Sequence, residues 1–428
     1  MQVITPLTKG DIQMEELIRE PSFMIVIPMN EKDTEDPEIF MENIKDNEHV
    51  QIKNMNFDDE RGMVITFDVD GTEYDAEVGP TKVEIPGMVR PEHTFTEEEY
   101  KRLDEAKTGL YVCIDFEGDN NKCFHDQLKI IDAMFPDVLA VLDCPSEKLL
   151  SGKWVSLAAN SKVLPAPRYL FTVQAISDGG DEVWLHTHGL KRCGLYELEI
   201  LNSNKDCFAD HYKMIESFAV RMLESEELIE PGEGVFVGQA AGKVLTLTAL
   251  DWKEALNYYP DVTLGTEEDR DDGVHGEGTY VLMIYRNQEE EDNRIYTPVQ
   301  DFNQFLDQNP MYMFSTDETR RMSSLAIERL PYLLDAYKSG MQNIIVKVGL
   351  LTDKEYWDSE EKPEREHIWF ELKDVNEDSI VAELTQEPYY VSGIKEGDIR
   401  TIPFSDITDW IIFTDDHRIT PDDAYLLT

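Results

Sequence analysis

Two histidines one residue apart, His186 and His188, are the side chains in this sequence most able to do chemistry. On a β-strand, residues i and i+2 point to the same side, so both imidazoles would share one face. Glu197 and Glu199 have the same spacing and follow after a tight loop, on the next expected strand. Imidazoles and carboxylates gathered in this way could hold a divalent ion and support a metal-dependent enzyme. The competing reading is a polar sheet face with hydrogen-bonded histidines. Lys191 and Arg192 stand close in sequence and could neutralise the two carboxylates, which weighs against a metal. No cofactor is therefore expected, and His186 and His188 remain the alternative.

Other motifs fall short of a mechanism. Thr66 to Glu77 imitates part of a calcium loop, with Gly71 at the sixth position. Its first carboxylate is missing and its residues alternate apolar and polar, so a hairpin is expected. Gly238 to Val244 resembles a phosphate loop but lacks its first glycine and its Ser or Thr. Cys123 and His125 could form a thiol–imidazole pair, but they diverge at the start of a helix.

The elements that would position these residues alternate. Ser22–Met29 reads as a strand, and Asp36 with Pro37 as the start of a helix. Residues 63–78 read as a hairpin turning at Asp70–Gly71. Thr96 with Glu99 has capping-box spacing. Strands are expected at 110–115, 138–142, 169–175, 182–188, 195–200, 244–249 and 280–285, with helices at 128–135, 215–223 and 252–258. Residues 224–234 read as a linker or domain edge, and 265–278 and 287–294 as exposed loops. Ser315 with Glu318 caps a helix that Pro331 should kink or divide, and Gly340 should end it. Strands dominate after residue 344. Trp184, Trp252, Trp369 and Trp410 are expected to pack in cores. The expected fold class is α+β: several small mixed layers, closed by a curved antiparallel sheet with a kinked helix. Three segments are expected, 1–108, 109–230 and 231–428.

The chain has 428 residues, 41% hydrophobic, which suffices for several cores. Its 88 acidic and 39 basic residues leave a formal net charge of −49. Such a surface cannot neutralise phosphates, so neither nucleic acid nor an anionic membrane is an expected partner. The charge excess is smallest between residues 101 and 200. The five cysteines show no disulfide framework, and neither a signal peptide nor a long apolar span is evident. A cytoplasmic setting is expected. The favoured function is non-enzymatic binding of a basic protein partner by an acidic face. That face would carry Glu267, Glu268, Asp269, Asp271 and Asp272 in one loop, and Glu289, Glu290 and Glu291 in the other.

One end of the chain resembles a known family. Glu366, His367, Trp369 and Phe370, then Leu384 to Pro388, then Gly397 with Asp398, then Asp406, Asp409 and Trp410 follow at suitable distances. Residues 316–415 resemble the YegJ-like domain, an uncharacterised bacterial family. Carried over, its motif residues are His367, Trp369, Glu387, Pro388, Gly397, Asp398, Asp409 and Trp410. Gln386 stands where that pattern has Asn. Residues 1–310, through Trp184–Leu190 and Glu197–Glu199, resemble the long region of unknown function found with it. The resemblance implies a bacterial cytoplasmic protein and no reaction. An immunity-like role rests on fold-level analogy alone.

Overall fold

The computed structural model describes residues 19–34, 37–58, 62–270, 275–306, 311–312, 315–357 and 363–428. The fold is α+β, with three mostly antiparallel sheets. The expected helix cap at Asp36 lies outside the described residues.

The first sheet orders its strands Val50–Asp58, Gly62–Val69, Thr72–Lys82, Thr108–Ile114, Ser22–Pro28, Val138–Asp143, Lys148–Ser151 and Arg90–Pro91. Its central strand, Ser22–Pro28, is apolar after Ser22 because both faces are covered. Met24 and Val26 join the main core, under the helices Pro37–Ile44, Asn120–Met134 and Gly152–Ala159. Ile25 and Ile27 face the other side, against Phe95 and against Leu103 of the helix Glu97–Glu105. That helix starts with the capping box of Thr96 and Glu99. The hairpin turns at Asp70 and Gly71, both at positive φ (51° and 89°), the backbone a tight two-residue turn demands.

The second sheet runs Met311–Tyr312, Val235–Ala240, Lys243–Asp251, Thr279–Tyr285, Glu197–Asn204, Glu182–His188 and Thr172–Ile176. Glu197–Asn204 and Thr279–Tyr285 pair in parallel; the other pairs are antiparallel. On the inner face, Leu185, Leu198 and Leu282 meet Ile215 and Phe218 of the helix Phe208–Glu224, within the main core. Residue 108 opens a strand of the first sheet. Residues 224–234 are tied into this layer, with Ile229 buried in the same core and its carbonyl accepting from the Tyr196 hydroxyl. The outer face packs Trp184, Leu250, Val281 and Met283 against Trp252, Ala255 and Tyr259.

The third sheet is fully antiparallel: Ile399–Pro403, Ser379–Leu384, Arg365–Val375, Ile344–Leu351, Ile407–Phe413 and Arg418–Ile419. Two helices, Thr316–Glu328 and Leu330–Lys338, pack on it and abut at Arg329, two residues before Pro331. Proline cannot supply the hydrogen bond that would continue the first helix. The C-terminal turn reaches back to the first unit. The Tyr425 hydroxyl accepts from the backbone N–H of Thr94, and its ring meets His93, which stacks on Trp154. Among the described residues, no helix is long and apolar enough to cross a membrane.

Candidate metal centre

Strand alternation places Trp184, His186 and His188 on the outer face of the second sheet, as their spacing predicts. Antiparallel pairing sets Gln174 opposite His186 and Thr172 opposite His188 on one side, and Glu199 opposite His186 on the other. The third partner of the two imidazoles comes from far along the chain. His275 brings its ring to 4.3 Å from that of His186 and 5.1 Å from that of His188, and the two strand histidines are 4.8 Å apart. One nitrogen from each of the three can be chosen so that all lie within 4.8 Å of one another. All three side chains are buried.

The proton pattern favours a ligand. His186 Nε2 lies 3.4 Å from Gln174 Oε1, so the neutral ring assigns its proton there. This leaves Nδ1 as a bare lone pair, buried and without a hydrogen-bond partner. An acceptor oriented by a hydrogen bond to the opposite ring nitrogen is the usual arrangement around a ligating histidine. Burial first, then the neighbouring imidazoles and Arg270, push the His186 pKa down to about 2. A neutral imidazole is the form that binds metal. Zinc–nitrogen bonds of about 2.0–2.1 Å put ligand nitrogens roughly 3.3 Å apart, so the three rings must draw together to hold one ion.

The two glutamates are engaged elsewhere. Glu199 accepts two bonds of 2.7 Å from the Arg270 guanidinium. Burial pushes its carboxyl up from the ordinary range, and Arg270 opposes the shift. Glu197 accepts from the Thr187 hydroxyl and from the backbone N–H groups of Gly189 and Lys191, so it secures the turn after the histidines. Lys191 thus meets Glu197 through its backbone. Arg192 pairs with Asp143 of the first sheet rather than with either glutamate.

The stretch 265–278, expected as an exposed loop, is half interior. Glu267, Glu268 and Asp269 are exposed, but Arg270 and His275 are buried. Gly265, at φ +77°, packs so closely that a Cβ there would sit 2.6 Å from Leu201 and 3.1 Å from Trp184. Asp271 and Asp272 lie outside the described residues. The second acidic stretch is a short helix, Gln288–Asp292. Glu289 is exposed, whereas Glu290 is buried and bonded to Arg286. Among the described residues of the expected acidic face, Glu290 is thus held by Arg286 rather than free.

The remaining candidates make structural contacts with backbone and side chains. Cys123 Sγ donates to the Glu117 carbonyl while His125 Nε2 meets the Ala158 carbonyl, so thiol and imidazole do not pair. Burial pushes that thiol up. Asp68 caps the Gly71 N–H and pairs with Lys53, while Asp70 pairs with Lys129 and His49. Ala241–Gly242 is a hairpin turn rather than a phosphate loop. In the third unit, His367 meets the Thr408 hydroxyl and Trp369 lies under Lys347. Glu387 accepts from the backbone N–H of Glu396, and Asp398 from that of Lys395, in the turn containing Gly397 (φ +85°). Pro388 is half-buried beside them. The Asp409 carboxylate accepts from the Trp410 backbone N–H.

Three family models match the chain. Protein of unknown function (DUF4026) N-terminal covers residues 22–165, and its C-terminal counterpart covers 173–283. Uncharacterized protein conserved in bacteria (DUF2314) covers 324–420. The three histidines all fall within the second match. No curated protein and no solved structure matches the chain.

His275 and Arg270 are the site residues that sequence reasoning missed. They sit in a polar, glycine-rich stretch, and no local spacing ties them to the strand they meet.

Proposed function

We propose that the segment matched by the DUF4026 C-terminal model is a divalent transition-metal centre with His186, His188 and His275 as ligands. The observation that carries this reading is the convergence of three buried imidazoles around the unpartnered Nδ1 of His186. Neutral nitrogen donors select zinc, copper, nickel or cobalt over magnesium or calcium. Three protein ligands leave a fourth position for water, the arrangement of hydrolytic and hydrating metal enzymes. After chelator treatment and exchange into metal-free buffer, the full chain should take up about one equivalent of zinc in a calorimetric titration. His186→Ala, His188→Ala and His275→Ala should each weaken uptake by more than about 100-fold, since each removes a direct ligand bond. Absence of stoichiometric uptake by the parent chain overturns the reading.

A second reading is favoured by the exposed carboxylates of Glu267, Glu268, Asp269 and Glu289 and by the net charge of −49. They support an acidic face that steers a basic protein partner to encounter, with an immunity-like role as one form of it. Its setting would be the bacterial cytoplasm, where the five free cysteines would persist as thiols. A partner captured from that fraction should be lost as salt rises, and lost at low salt when Glu267, Glu268 and Asp269 are all changed to Lys. Salt-independent capture contradicts it. The match at 324–420 is to an uncharacterized protein conserved in bacteria (DUF2314); its overlap with residues 316–415 supports reading the C-terminal unit as a domain of the YegJ-like kind.

A further inference from the structure

We propose that Arg270, clamped by Glu199, is the positioning residue of this centre: it fixes the third histidine against the two on the strand. The inference rests on the metal-centre reading and adds to it how the site is assembled. Arg270 is almost fully buried. Its Nη1 donates to Glu199 Oε1 and to the His275 carbonyl, both at 2.7 Å. Its Nη2 donates to Glu199 Oε2 at 2.7 Å and to the Gly265 carbonyl at 2.8 Å. The guanidinium carbon lies 4.2 Å from the centroid of Trp252 and 5.6 Å from that of Trp184.

These contacts close a ring of connections. His186 pairs across the sheet with Glu199. Glu199 holds Arg270, Arg270 holds the His275 backbone, and the His275 ring returns to within 4.3 Å of His186. The links from His186 to the His275 backbone are a strand pair, a bidentate ion pair and a hydrogen bond to a backbone carbonyl, so the third ligand is located relative to the first without any metal. Only a planar fork can serve the carboxylate and two carbonyls together; a lysine ammonium has neither the span nor the fixed angles. The carboxylate that sequence spacing nominated as a ligand is thereby assigned to the layer behind the ligands. Partners in that layer are worth about 10–100-fold in metal affinity.

The test compares Arg270→Gln, Arg270→Lys and Glu199→Gln with the parent chain. Zinc affinity is measured by competition with a chromogenic chelator, and geometry by the visible absorption of the cobalt(II) form. Samples are first shown by circular dichroism to be folded. All three variants should bind zinc about 10–100-fold more weakly, and the intense cobalt bands of a four-coordinate site should fade. Arg270→Lys should not rescue, because charge alone cannot replace the fork. Unchanged affinity and spectrum in folded variants overturn the proposal while leaving the metal reading standing. Tighter binding by Arg270→Gln overturns it too, since the freed Glu199 would then be acting as a ligand. If the Arg270 variants do not fold, Glu199→Gln decides, because it keeps volume and one hydrogen bond to the guanidinium. If the parent chain binds no zinc, both ideas fail together.

Discussion

Arg192→Met should lower the stability of the chain by about 3–5 kcal/mol, the usual cost of breaking a buried ion pair from one side. The Arg192 guanidinium bonds both oxygens of Asp143 at 2.6 and 2.8 Å, and also the Leu170 carbonyl and the Ser22 hydroxyl. Both side chains are fully shielded from solvent. The guanidinium carbon lies 5.7 Å from the ring centroid of Phe116 and 5.3 Å from that of Phe124. Removing the guanidinium leaves the Asp143 carboxylate bonded to the Ser146 hydroxyl and shielded from solvent, without its counter-charge. The pair joins the last residue of a first-sheet strand to the turn after the histidine strand, so the loss should loosen the seam between the first two sheets. The urea midpoint at unchanged slope measures the effect. The double variant Asp143→Leu/Arg192→Met should recover much of it, because an apolar pair needs no compensation. A single-variant loss below about 1 kcal/mol, the range of an exposed pair, would refute the account.

Trp410→Ala should cost about 3–5 kcal/mol, with the damage confined to the third unit. Trp410 has no exposed surface, and its indole N–H donates to the Ala326 carbonyl at 3.1 Å. It thus pins the helix Thr316–Glu328 to the strand Ile407–Phe413 while filling the core with Val346, Phe370 and Ile412. Truncation leaves a cavity that rigid strands close only in part, and it orphans the helix contact. Trp410→Phe should cost less, since it keeps most of the volume. Hydrogen exchange should rise over residues 316–419 and stay unchanged in the strand Ser22–Pro28. An equal rise in both places would show that the third unit has no separate core.

Several short-range signals in the chain hold in the fold, although Tyr169 and Leu170, expected in a strand, belong to a 3-10 turn and the strand starts at Thr172. A capping box needs only Thr96 and Glu99, a tight turn only Asp70 and Gly71, and a helix stop only Pro331. Each is a bond or a steric clash between near neighbours. The same is true of the shared face of His186 and His188, which follows from strand alternation. Composition misled where acidic stretches were read as solvated. Arg270 is neutralised in the interior by Glu199, and Glu290 is covered by an Arg286 side chain that itself stays exposed, so their burial follows from pairing rather than from hydropathy.

The α+β class and the nomination of one histidine pair were legible in the order of residues, because secondary structure and face periodicity depend on neighbours a few positions apart. The third histidine, the capture of Glu199 by Arg270 and the bond from Arg192 to Asp143 emerged only with the packed sheets. Each joins positions whose distance in space is set by strand order and crossover, and no spacing along the chain encodes that distance.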